Sequence, residues 1–189
     1  MAVIERIGLT LALSGAVLAT ILSFLRLFRR GSAVSPPSQH DSRTSRPWWY
    51  RERYPIAAAG FSMVALTMVL ISRIIQTGHG PFSNMYEFAA SFTWGILAAG
   101  FIFFWKYKNG TILPVIYFIA LLMLVFARVQ YRVPDPLVPA LQQSLMLSVH
   151  VASAVVAYGM LAVGFGASVL YLACGRSISP RQQDPALLE

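Results

Sequence analysis

Long uncharged runs separated by short basic segments are the feature that most constrains this chain. The 19 residues from Ile7 to Leu25 carry no charge, and neither do the 32 residues from Ser144 to Gly175. About 20 apolar residues suffice for a helix to cross the roughly 30 Å hydrocarbon core of a bilayer. With 57% hydrophobic and only 12% charged residues in a length of 189, the sequence predicts a membrane protein rather than a soluble domain.

Five such runs predict an all-α integral membrane protein, a bundle of about five transmembrane helices. The first run has too much basic charge after it to be a cleaved signal peptide. The expected spans are 7–25, 56–75, 86–105, 111–127 and 144–175. The predicted organisation is a first transmembrane helix (1–28), a basic Pro/Ser-rich linker (29–55), a four-helix membrane domain (56–175) and a tail (176–189).

The distribution of basic residues predicts the orientation of the bundle. Eleven of the 15 Lys and Arg lie on the side of the linker: Arg26, Arg29, Arg30, Arg43, Arg46, Arg51, Arg53, Lys106, Lys108, Arg176 and Arg181. The other four are Arg6, Arg73, Arg128 and Arg132. By the positive-inside rule, the linker and the C-terminus are expected in the cytoplasm, and the N-terminus, the first loop (76–85) and the second loop (128–143) outside. The basic residues form no continuous face, so we expect the lipid bilayer and no nucleic acid as a partner.

The sequence gives no support to a soluble hydrolase or nucleotide enzyme. HExxH, GxSxG, P-loop and dinucleotide-binding patterns are absent. The single cysteine, Cys174, cannot form an intrachain disulfide or a zinc site built from cysteines. We therefore predict no catalytic residues.

The first loop carries two candidate ligand-binding residues, His79 and Glu87, the latter just inside the third span. Ser83 or Asn84 can cap that helix, and an acid such as Glu87 suits its positive end, which is a structural explanation. The alternative is functional, because an ionisable group at membrane depth normally has a partner or a task. His79 lies in a glycine-flanked turn and is either an ordinary loop histidine or close enough to reach a ligand.

His150 follows the proline-rich second loop and is the strongest candidate for a metal ligand. On a helix it shares a face with three small residues and a tyrosine: Ser153, Ala154, Ala157 and Tyr158. That face leaves room for a flat ligand, and neutral imidazole is a common axial ligand of haem iron. A histidine hydrogen-bonded to a neighbouring helix is the alternative, and the residues alone leave both open.

Two motifs resemble a known family. The string Gly78-His79-Gly80-Pro81-Phe82-Ser83-Asn84-Met85-Tyr86-Glu87-Phe88, with Trp94-Gly95, resembles a segment of the haem-handling proteins of cytochrome c biogenesis of CcsA/ResC (CcsB) type. The stretch Pro136-Leu137-Val138-Pro139-Ala140-Leu141-Gln142, followed by His150 and Ala157-Tyr158-Gly159, is similar to the region around that family's first external haem ligand. The resemblance implies haem as the cofactor, with His150 as an axial ligand of the iron and His79 and Glu87 as further haem-binding residues.

The resemblance covers residues 55–175 and implies a role as part of a larger complex. It implies a membrane subunit of cytochrome c maturation in the cell inner (plasma) membrane, which presents haem on the outer side for attachment to apocytochrome c together with a ResB/Ccs1-type partner. Only residues 176–189 follow Gly175, with no WWD loop and no second external histidine. We therefore expect a truncated product, a fragment or one piece of a split protein, with a separate C-terminal half as a further partner.

Two alternatives from other classes remain open at this stage. One is a small transporter-like bundle with a proton-active His150 or Glu87, which is weakened by the lack of inverted repeats and of paired charges within the membrane. The other is a structural assembly subunit that binds no haem.

Overall fold

The computed structural model describes residues 2–31, 48–78, 80–82, 84–107, 110–131 and 144–175. These residues contain five α-helices and no strand, so the predicted all-α fold is confirmed. The helices are α1 (Ala2–Gly31), α2 (Trp48–Thr77), α3 (Met85–Tyr107), α4 (Leu113–Val129) and α5 (Ser144–Gly175).

Four of the helices are long and apolar enough to cross a membrane. Their spanning segments are Glu5–Phe28, Arg53–Thr77, Met85–Tyr107 and Ser148–Leu172. The remaining helix, α4, has 17 residues, a length of about 25 Å, at the lower limit for a crossing. That α4 also spans the bilayer stays a prediction.

Two helix boundaries differ from the predicted ones. The first helix extends to Gly31, and α2 begins at Trp48 instead of Ile56, with Pro55 inside the helix. Hydropathy locates only the apolar middle of a membrane helix, whereas the helical backbone continues into polar residues at the interface. The helices therefore take up both ends of the predicted linker, while residues 32–47 and the predicted tail 176–189 lie outside the described residues.

Small residues allow α1 and α2 to pack closely. The Ser62 hydroxyl of α2 donates a 2.7 Å hydrogen bond to the carbonyl of Ala12 in α1. Near it, a side chain at Gly15 would lie 3.0 Å from the carbonyl oxygen of Ala58. This is the small-residue packing that membrane helices use in place of a hydrophobic driving force.

Glycines determine the close contact of α3 with α5. A side chain at Gly159 would lie 2.7 Å from the carbonyl oxygen of Gly95, and one at Gly95 would lie 2.5 Å from a methyl group of Val155. Gly166 is buried against Ile112 at the start of α4. α5 therefore packs on α3 and on the start of α4, which leaves its opposite face exposed.

Candidate functional site

A buried ionic cluster joins the first three helices at one end of the bundle. Arg73 of α2 is fully buried, as are Glu5 of α1 and Glu87 of α3. The Nε atom of Arg73 lies 3.0 Å from Oε2 of Glu5, and its Nη1 lies 3.4 Å from Oε1 of Glu87. One guanidinium thus contacts two carboxylates on two different helices, and we call these three residues the ionic cluster.

Polar and aromatic groups surround the ionic cluster. The side-chain amide of Gln76 donates a hydrogen bond to the Glu5 carboxylate. The hydroxyl of Tyr131 donates to the same carboxylate at 3.4 Å. The Arg73 guanidinium lies 4.8 Å from the ring centre of Tyr86 and 5.8 Å from that of Tyr131. These cation–π contacts supply favourable surroundings for a charge that water cannot reach.

The residue that caps α3, Asn84, also contacts the ionic cluster. The Asn84 side-chain oxygen accepts a 3.0 Å hydrogen bond from the backbone N–H of Glu87, and its amide group donates to Glu87 Oε1 at 3.3 Å. The predicted capping role of Asn84 is confirmed. Glu87 therefore has both roles that the sequence left open. It is an acid in the first turn of α3, and it has a buried ionic partner in Arg73.

The ionic cluster is not predicted from the sequence, and the predicted lack of paired charges within the membrane is wrong. Arg73 is predicted only as one of the four outer basic residues, and no role is predicted for Glu5. Both could have been suspected, since each charge lies within an apolar segment where an ionisable group needs a partner. The identity of that partner depends on tertiary packing, because Glu5 and Arg73 belong to different helices.

His150 lies near the N-terminal end of α5 with its side chain exposed. Ser153 and Ala157 of the predicted small-residue face are also exposed, and Tyr158 is 58% exposed. Within the described part of the chain the imidazole makes no hydrogen bond to another helix, and no three His, Cys, Asp or Glu side chains converge as a metal site. The structure thus presents His150 on an open helix face.

The first loop approaches α5 near its N-terminal end, on the face opposite to His150. A side chain at Gly80 would lie 3.2 Å from the hydroxyl oxygen of Ser148, two residues before His150. The carbonyl of Pro81 accepts a 3.4 Å hydrogen bond from Ser91 of α3. His79 lies outside the described residues, although Gly80 beside it is in contact with α5.

An aromatic row runs from the first loop along α3 to α5. The ring centres of Phe82 and Phe88 are 6.4 Å apart, those of Phe88 and Phe92 are also 6.4 Å apart, and Phe92 meets Tyr158 edge to face at 5.1 Å. Phe92 and Tyr158 also line an open groove of about 570 Å³ between α3, α4 and α5. The surface of α5 beyond His150 therefore continues into an aromatic and apolar groove.

Comparison with known proteins identifies the family. Residues 82–186 match the family described as cytochrome C assembly protein. The chain belongs to this family. No solved structure shows a significant match to the chain. The family resemblance inferred from the two loop motifs is confirmed, and the chain is a multi-pass membrane protein of cytochrome c biogenesis.

Curated relatives agree with this assignment. The chain is similar to the cytochrome c biogenesis protein CcsA of Guillardia theta, with 31% identity over 113 residues, which cover 58% of this chain and 37% of the relative. For CcsA of Gloeobacter violaceus the identity is 32% over 138 residues, 69% of this chain and 38% of the relative. CcsA of Prochlorococcus marinus strain MIT 9515 is 36% identical over 116 residues, which cover 57% of this chain and 36% of the relative. The chain thus spans little more than a third of the length of these relatives.

The family match divides the site residues into two groups. Glu87 and His150 lie within the matched residues 82–186, whereas Glu5 and Arg73 lie before them. The ionic cluster therefore connects α1 and α2 to the matched part of the chain.

Proposed function

We propose that this chain handles haem for cytochrome c maturation, with His150 as one axial ligand of the iron. The observation that supports this most directly is the exposure of His150 on the open face of α5, within the matched family region. An imidazole with no described hydrogen-bond partner is available to bind a metal. Haem bound there would supply an iron centre, and this chain would bind and orient it.

The surroundings of His150 fit a flat apolar ring. Small side chains at Ser153 and Ala157 leave the helix surface open beside the imidazole, and Tyr158 with Phe92 continues it as an aromatic surface. His79 remains a proposed haem-binding residue on the resemblance of the first-loop motif to the family. Glu87 is fully buried and paired with Arg73, so its proposed contribution is to hold the first loop.

The proposal places the haem site on the outer side of the cell inner (plasma) membrane. It is supported by the eleven-to-four excess of basic residues on the linker side. Glu5, Arg73 and Glu87 lie together at the end of the bundle that carries the first loop, and this loop contacts the start of α5. On this orientation haem is presented to the compartment in which apocytochrome c is matured.

We further propose that other chains complete the site. One histidine supplies one axial bond, so a second ligand must come from another residue or another subunit. The proposed partners are a ResB/Ccs1-type membrane protein and a separate C-terminal half carrying the WWD loop, with apocytochrome c as the acceptor. The exposed apolar face of α5, including Val156 and Met160, is a surface on which another membrane helix can pack.

The ionic cluster is the observation that favours the transporter-like alternative. The ionic cluster provides paired charges inside an apolar bundle, which proton-moving membrane proteins use. All three members are fully buried at one end of the bundle, and they connect helix ends rather than line a path across it. The family membership and the position of His150 therefore favour cytochrome c biogenesis.

The test is a His150→Ala substitution in the chain co-purified with a ResB/Ccs1-type protein and a WWD-containing C-terminal half. Loss of one axial bond should change the haem absorption spectrum and lower the cytochrome c yield, and added imidazole should partly restore both. Ser153→Ala, on the same exposed face, is the matched control and should leave the spectrum unchanged. A parental spectrum and full yield for His150→Ala would remove His150 from the site.

A further inference from the structure

We infer that Arg73, held by Glu5 of α1, is a positioning residue that fixes the first loop against α5 through Glu87 and Asn84. The consequence for haem rests on the proposed function, whereas the positioning itself is a property of the fold. Neither Arg73 nor Glu5 lies within the residues that match the family.

Both ends of the first loop are held by hydrogen bonds. Gly78 ends α2 with a left-handed backbone (φ +71°) and donates a 2.9 Å hydrogen bond to the carbonyl of Ile74. Asn84 caps α3 and is hydrogen-bonded to Glu87. Arg73 and Glu87 are 14 residues apart and form an ion pair across the base of the loop. Their contact therefore determines the separation of the two loop ends.

A loop with fixed ends has few positions available to its middle. Gly80, near the centre, lies against Ser148, and Pro81 accepts a hydrogen bond from Ser91. Holding the two ends of a loop at a fixed separation lowers the conformational entropy of the residues between them. Separation of Arg73 from Glu87 should therefore release Gly80 from the start of α5.

The ion pairs of Arg73 hold the base of the first loop firmly to α1. The Arg73 guanidinium is fully buried and lies close to a carboxylate on each side, at 3.0 Å and 3.4 Å. Separate nitrogens of its planar fork contact separate helices, which a lysine ammonium cannot reproduce. Glu5 anchors the arginine to α1, so that Glu87 and the loop are held against a fixed point.

The contact between Gly80 and Ser148 can be measured directly by disulfide formation. The pair Gly80→Cys and Ser148→Cys is introduced into a Cys174→Ala chain, and the rate of cross-linking by a mild oxidant is followed in the membrane. Glu87→Gln is the test variant, because it releases the loop but leaves Arg73 neutralised by Glu5. We expect this variant to cross-link about tenfold more slowly, as loss of a charged hydrogen bond implies.

The matched control is a second pair in a different part of the bundle. A side chain at Gly166 would lie 3.6 Å from the Cβ atom of Val115, within the range for a disulfide. The pair Val115→Cys and Gly166→Cys should cross-link at the parental rate in the Glu87→Gln background. Arg73→Lys is a second variant of the cluster, and we expect slower cross-linking of the Gly80 pair there too.

The outcomes separate the inference from a general loss of structure. The positioning role is supported if the Gly80 pair cross-links more slowly while the Val115 and Gly166 pair keeps its parental rate. A parental rate for the Gly80 pair in both Glu87→Gln and Arg73→Lys would overturn it, and so would equal slowing of both pairs, since the cluster would then hold the whole bundle. The measurement needs no haem, so its failure leaves the His150 test intact, and failure of the His150 test leaves loop positioning intact.

Discussion

Removal of the Arg73 side-chain charge should destabilise the protein strongly. Arg73→Met keeps a long apolar side chain but removes the cation that contacts Glu5 and Glu87, both of which are fully buried. Breaking a buried ion pair by removing one partner costs about 3–5 kcal/mol. The contacts of this cation with two carboxylates are lost here, so we expect the upper part of that range, a large share of the roughly 5–15 kcal/mol of a typical domain.

The same reasoning predicts that most of this loss can be recovered. Glu5→Gln and Glu87→Gln, added to Arg73→Met, neutralise the cluster while keeping groups that can accept hydrogen bonds. A neutral replacement of a buried ion pair is often nearly neutral in stability, so we expect the triple variant within about 2 kcal/mol of the parent. Arg128→Met, at an exposed position of α4, is the control and should change stability by no more than about 0.5 kcal/mol.

The assay is reversible unfolding in mixed micelles, with helix content followed by circular dichroism as the fraction of denaturing detergent rises. All four chains are measured in the same lipid and detergent mixture. A value for Arg73→Met within about 1 kcal/mol of the parent would refute the reasoning. A triple variant no more stable than the single variant would refute it as well, since the cost would then come from lost packing rather than from unpaired charge.

Three further predictions can be checked with standard methods. Membrane-impermeant thiol labelling of intact cells should modify Pro136→Cys but not Ser38→Cys, and the reverse pattern would contradict the orientation. Gly159→Ala should lower stability by about 1–3 kcal/mol, because its new methyl group would lie 2.7 Å from the carbonyl oxygen of Gly95; Gly164→Ala, with nothing within 4 Å, should be tolerated. Affinity purification in mild detergent should recover a ResB/Ccs1-type protein, and recovery of this chain alone would count against the proposed partner.

The helices themselves were predictable from the sequence because membrane helices are defined by local composition. The cap formed by Asn84 was also predictable, since its partner Glu87 is three residues away. The start of α2 at Trp48 was not, because residues between Trp48 and Pro55 are polar enough to be read as linker. Local patterns thus determine the helices but not how far they extend into the interface.

The ionic cluster and the exposure of His150 required the tertiary structure. Glu5 and Arg73 meet through the packing of α1 on α2, and no short-range pattern connects them. α5 is apolar all round, so its sequence does not indicate which face packs on α3 and which remains open. That His150 lies on the open face follows from the glycine contact between Gly159 and Gly95 on the opposite side.

The order of the ionic cluster along the chain has a consequence for membrane insertion. During synthesis Glu5 enters the bilayer with α1, Arg73 follows with α2, and Glu87 arrives last with α3. An arginine costs about 2.5–3.5 kcal/mol to insert alone at the centre of an apolar helix, and less near a helix end, where Arg73 lies. Because α1 is already in place, Arg73 meets its first carboxylate as it enters, and α2 is neutralised before α3 leaves the ribosome. A chain translated without α1 would present α2 to the insertion machinery as a weaker membrane segment, and its orientation would depend on the arrival of Glu87.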